Sequence, residues 1–189
     1  MTLIDENAFG LLVAFFDVED AEYTLDRDDF VERFMAFRNV TLAHAADLPL
    51  GAGATALDLG HALYFEVADG EQAADPVHWL RSLRKELQAH GFSVTAVLSH
   101  GGRWVDEHAP APAEVEVLAS TTLLRASYPS EPLRRALYAE TATHAGEASE
   151  GWGAGLYVDT EAVEALGKAL KNAPTPLAIA GATFYRLGS

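Results

Sequence analysis

The chain contains no cysteine. That absence excludes disulfide staples, thiolate metal sites and cysteine nucleophiles, and it fits a reducing compartment. Long apolar runs are missing as well: the longest, FGLLVAFF over residues 9–16, falls far short of the ~20 residues a bilayer-spanning helix needs. Asp5 and Glu6 precede it where a secretory leader carries basic residues, so no signal peptide is expected and the chain reads as cytoplasmic, off the membrane. Positive charge is scarce, with 13 Lys and Arg against 28 Asp and Glu, a net −15. Phosphate backbones are held by clustered cations, and no basic stripe exists, so nucleic acid is not an expected partner. Residues 5–33 alone hold ten acids against Arg27 and Arg33; such a run reads as a solvated acidic face before it reads as a cation site.

What remains is the composition of one globular domain over residues 1–189, 49% apolar and 22% charged, large enough to bury a proper core. Residues 10–16 are a β-prone run ending at Asp17. Residues 26–45 place Phe30, Phe34, Phe37 and Thr41 on one helical face, with aspartates in the first turn where the helix dipole favours them. The strongest helix signal spans 76–90: Asp75 caps it, Pro76 suits its first turn, Gly91 terminates it, and Leu80, Leu83 and Leu87 form its buried stripe. A strand over 92–99 then meets the His100-Gly101-Gly102 triplet, which reads as a turn. Further on come strand material in 115–128, a helix over 131–145 capped by Ser130, a strand over 153–159, a helix from Thr160 to Lys171, and a closing strand over 176–187. Strands mixed with helices in this way predict an α+β sandwich with helices on one face of the sheet.

The stretch ALDLGHALYFEVADG, residues 56–70, carries a Gly60-His61 pair inside strand-forming sequence. Segments 56–60 and 62–67 read as the two arms of a hairpin, and by turn chemistry alone His61 reads as an ordinary turn residue. Other candidates have plainer readings. His100 and His108 with Asp106 and Glu107 have the residue types of a zinc or acid–base site, but read first as a turn and its solvated exit. The HGG triplet has no G-x-S-x-G nucleophile elbow to accompany it. Arg125, Arg134 and Arg135 suit an anion, or simply a solvated helix start.

Taken in order, these pieces resemble the class III adenylate/guanylate cyclase homology domain. LLVAFFDVED (11–20) is similar to its opening strand, which ends in Phe-x-Asp; LDLGHALYFEV (57–67) to its Gly-Asp hairpin; VTAVLSHGGRWV (94–105) to its following strand and turn; PLRRALYAE (132–140) to its Asn-x-x-x-Arg helix; FYRL (184–187) to its last strand. The resemblance spans roughly residues 9–187. It implies a ferredoxin-like βαββαβ sandwich with extra C-terminal strand and helix elements. It also implies that Asp17 stands at the first of two metal-binding aspartates and His61 at the second. By the same resemblance Leu57 replaces a base-selecting lysine, Arg134 stands near the Asn position, and Tyr138 stands near the Arg position.

Cyclisation attacks the α-phosphorus with the ribose 3′-hydroxyl and expels pyrophosphate, helped by two divalent ions on two carboxylates. His61 removes one of those carboxylates and offers a nitrogen that Mg²⁺ accepts poorly. The expectation is therefore a degenerate domain without a cofactor and without catalytic residues. Asp17 is its remaining metal position, and His61, Arg134 and Tyr138 mark a vestigial nucleotide cleft. Its expected role is that of a dimerising scaffold or regulatory partner, as a homodimer or with another protein. The alternatives are a residual cyclase using Mn²⁺ on Asp17 and His61, or a sensor that binds a nucleotide without turnover.

Overall fold

The computed structural model describes residues 3–15, 27–46, 48, 56–59, 62–68, 75–106, 116–117, 130–144, 153–167, 176–179 and 182–188. The elements in chain order are β1 (Leu3–Phe15), α1 (Arg27–Ala45), β2 (Ala56–Asp58), β3 (Ala62–Ala68), α2 (Pro76–Ala89) and β4 (Val94–Asp106), then β5 (Glu116–Val117), α3 (Glu131–His144), β6 (Gly155–Asp159), α4 (Thr160–Leu166), β7 (Pro176–Ile179) and β8 (Ala182–Leu187). The described strands form one sheet in the order β5-β2-β3-β1-β4-β6-β8-β7. Its first six elements follow βαββαβ, with β3 and β4 flanking β1 antiparallel and β2 outside β3. This is the ferredoxin-like arrangement. The C-terminal extension adds β6 parallel to β4, then β8 and β7 as an antiparallel pair.

The LLVAF run of β1 is apolar at every position because both of its faces are covered. Leu11, Val13 and Phe15 join Phe37 of α1, Leu80, Leu83 and Leu87 of α2 and Ala162 of α4 in one core. Leu12 and Ala14 join Tyr64, Val97 and Leu133, Ala136 and Leu137 of α3 in a second. Helices thus cover both faces and not one, because α3 carries its own apolar stripe to the opposite side.

Local signals place α2 well. Asp75 Oδ1 accepts from the Val77 and His78 N–H groups at 3.1 and 3.0 Å, and Gly91 holds φ +78° just past the helix. The β2–β3 hairpin forms, closed by Leu59 N–H to Ala62 O at 2.9 Å. Three expectations change. The HGG triplet is not a turn: His100, Gly101 and Gly102 lie within β4 and pair with Phe9, Ala8 and Asn7 of β1. Gly101 is there for clearance, since a Cβ on it would sit 2.9 Å from Glu131 Oε2 and 3.0 Å from Glu131 Cβ. The helix begun at Thr160 stops at Leu166, because Gly167 takes φ +57° and serves as its cap. Residues 176–187 form a hairpin instead of one strand, with Ile179 paired to Ala182. No helix among the described residues is long and apolar enough to cross a membrane.

Candidate functional site

The end of β1 and the β2–β3 hairpin lie side by side. Ala14 pairs with Ala62, and Leu63 pairs with Asp58 across the hairpin. Asp17 and His61 themselves fall outside the described residues, as do Arg125, Glu107 and His108. Leu57, at the position of the expected lysine, is fully buried against β3, opposite Tyr64. Asp58 beside it is buried and takes the Arg38 guanidinium of α1 at 2.5 Å, fastening that helix to the hairpin arm.

Arg134 and Tyr138 lie one turn apart on α3, Arg134 exposed and Tyr138 half-buried. The Arg134 N–H donates to Ser130 O at 3.3 Å, and Ser130 Oγ accepts from the Leu133 N–H at 3.3 Å, so Ser130 caps the helix as its sequence predicts. His100 turns to the sheet, its ring 4.8 Å from that of Phe9. No group of three His, Asp or Glu able to hold a metal occurs among the described residues. Were Asp17 and His61 to share a site, as the resemblance implies, they would offer one carboxylate and one imidazole, a set that does not fit a pair of Mg²⁺ ions, which demand converging hard oxygens.

The strongest described electrostatics lie elsewhere, beneath the first turn of α3. Glu66 of β3 is buried and accepts from Tyr64 Oη at 2.7 Å, from Ser130 Oγ, and from Arg103 Nη1 at 3.3 Å. Arg103 of β4 also reaches Glu6 of β1 at 2.5 Å. A buried carboxylate is tolerable only when so paired. Gly10 lies between Glu66 and Ser99 in the sheet, and a Cβ there would meet Tyr64 Oη at 2.5 Å and Pro132 Cβ at 2.8 Å. Ser99 Oγ donates to Pro132 O at 2.7 Å. Glu66 is four residues along β3 from Ala62, about 13 Å at ~3.3 Å per residue, so this network anchors α3 and lies away from the hairpin end.

A second network holds the same helix to β6. Asp159 is fully buried at the β6–α4 junction; it accepts from Ala162 N–H at 2.7 Å, from His100 N–H at 3.2 Å and from Arg135 Nη1 at 3.3 Å. Burial pushes its carboxyl up to about 6, against the opposing pull of the Ala162 N–H, Arg135 and the His100 N–H. Arg135 also reaches His100 O at 2.5 Å, Glu161 at 3.0 Å and Glu131 at 3.2 Å.

The sequence offers Arg134 and Arg135 alike as anion candidates or as a solvated helix start; Arg135 instead meets the buried Asp159. Sequence reasoning passed over Glu66, although a lone acid inside ALYFEVA was a visible signal, and over Arg103 and Asp159.

The fold is that of the class III adenylyl and guanylyl cyclase domains. The adenylyl cyclase CyaB from P. aeruginosa matches over 100% of this chain and 97% of its own, with a TM-score of 0.60 and 12% identity. The dimeric guanylyl cyclase domain of the RhoGC fusion protein from the aquatic fungus Blastocladiella emersonii matches over 98% and 97%, with a TM-score of 0.60 and 9% identity. A bacterial light-regulated adenylyl cyclase reaches 0.67 over 99% of this chain and 52% of its own, at 9% identity. No family model and no curated protein matches the sequence. At these identities the likeness establishes the fold.

Proposed function

We propose that this chain is a catalytically degenerate cyclase-homology domain that acts in the cytoplasm by pairing, with itself or with another protein. Asp17, His61, Arg134 and Tyr138 are then what is left of a nucleotide cleft. One observation carries the reading: a hairpin closed by Leu59 and Ala62, set beside the strand that leads to Asp17, has Gly60-His61 as its two connecting residues. In a cyclase-type cleft this connection must supply the second metal carboxylate, and here it supplies an imidazole. The resemblance further puts Tyr138 where an arginine should meet the charge building on phosphate. Each loss removes a group that acts in the transition state, on the order of 10²-fold or more in rate. Together they leave binding as the surviving use of the fold. The RhoGC guanylyl cyclase domain, which crystallises as a non-canonical dimer as well as a monomer, offers a precedent for pairing.

The test is direct. Purified protein incubated with ATP or GTP and Mg²⁺ or Mn²⁺ is expected to form no cyclic nucleotide, while sedimentation with a candidate partner reports pairing. Turnover that vanishes in Asp17→Ala would overturn the reading.

A further inference from the structure

The two exposed large apolar side chains among the described residues, Val31 (49% exposed) and Met35 (41%), lie one turn apart on α1. The inward side of the same helix is already apolar, with Phe37 buried and Phe30 and Val40 packed against the core. A helix that is apolar on both sides is one that expects cover on both. Around the helix from Met35, at ~100° per residue, come Glu32 and then Ala36 and Asp29. These last three border an open cleft of about 280 Å³ completed by Arg33, His90 and Phe92. The described Arg33 and Arg38 of α1 are engaged by other partners, although Arg33 itself borders the cleft. Arg33 donates to Gly91 O at 2.7 Å and lies over the Phe15 and Phe92 rings, and Arg38 is held by Asp58. Asp29 and Glu32 have no ion-pair partner among the described residues.

We infer that the outer face of α1 docks a cationic amphipathic segment of a partner protein. Its apolar residues would cover Val31 and Met35, and a Lys or Arg would enter the cleft between α1 and the end of α2 to meet Asp29 and Glu32. A second copy of this chain is the wrong occupant. A two-fold interface repeats one patch on both sides, and it would bring two copies of the same acidic rim together in a chain of net charge −15; like charges so juxtaposed oppose association. An apolar centre with a charged rim of one sign is instead how a surface selects a partner of the opposite sign. This assignment rests on the proposal that the domain works by binding, and it narrows the partner's chemistry.

The probe is a helical peptide of alternating Leu and Lys faces, with a Leu/Glu peptide of the same pattern as control, titrated into the full chain and followed by calorimetry and by amide NMR shifts. Binding is expected for the Leu/Lys peptide alone, with shifts concentrated in residues 28–39 and 90–92. The paired substitution Val31→Ser with Met35→Ser is expected to weaken it at least about tenfold, and Asp29→Asn with Glu32→Gln to remove most of its salt dependence. All four positions are exposed, and circular dichroism verifies the fold of each variant. Unchanged affinity in both variants, or shifts lying elsewhere on the domain, would refute the assignment. So would concentration-dependent self-association that the Val31/Met35 variant abolishes, since it would put a second copy on the face. Cyclic nucleotide formation bears on degeneracy alone, so the two readings fail separately.

Discussion

Replacing Asp159 by Asn isolates the penalty of burying a carboxylate at the β6–α4 junction. Asp159 has no solvent exposure, and its carboxyl sits at about 6 against an ordinary 3.8, chiefly through desolvation. A shift of about two units corresponds to about 3 kcal/mol of preference for the protonated form in the folded state. Between pH 4 and 6 the folded chain therefore binds more protons here than the unfolded chain, so stability from this residue falls as pH rises through that window. The contribution is fully present below about pH 4 and lost by about pH 7. Asn is neutral throughout and can still accept from the Ala162 N–H, so it removes the pH dependence of this one group. Many other acids titrate in the same range, and only the difference between wild type and Asp159→Asn is diagnostic. Urea unfolding of both proteins at several pH values should show wild type losing about 2 kcal/mol relative to the variant from pH 4 to pH 7. Parallel curves, or a wild type that gains on the variant as pH rises, would refute the assignment of the shift to desolvation.

Truncating Glu66 to Ala should destabilise the fold by about 3–5 kcal/mol, because it strips a buried partner from Arg103. Glu6→Ala, whose side chain is 35% exposed, should cost about 1 kcal/mol or less in the same denaturation assay; equal losses would contradict this ranking. Gly10→Ala forces a methyl into Tyr64 and Pro132 and should lower stability by about 1–3 kcal/mol, so a melting temperature at the wild-type value would show that α3 can lift away freely. His61→Asp should lower the melting temperature without metal, through repulsion with Asp17, and recover with millimolar Mn²⁺ more than wild type does. Identical metal responses in the two proteins would mean His61 does not stand in an inherited ion cleft.

Elements with signals at their own ends were legible in the sequence. Asp75, Pro76 and Gly91 delimit α2 because caps are decided within one turn of chain, and the two arms around Gly60-His61 form their hairpin for the same local reason. The βαββαβ order followed from resemblance carried by the sequence of strand and helix signals. What escaped it was set by contacts between distant residues. The HGG triplet has every mark of a turn, yet thirteen residues of β1 hold it straight, and α3 needs the bare Gly101 surface to approach. The same holds for the second helical face, for the Arg103–Glu66 pair 37 residues apart, and for Arg135 being chosen over Arg134 to meet Asp159. The sequence alone determined the kinds of residue at the hairpin, with Gly60-His61 joining its two arms. Tertiary structure decided which charges are buried and paired, because desolvation depends on what packs over a group and not on its neighbours along the chain.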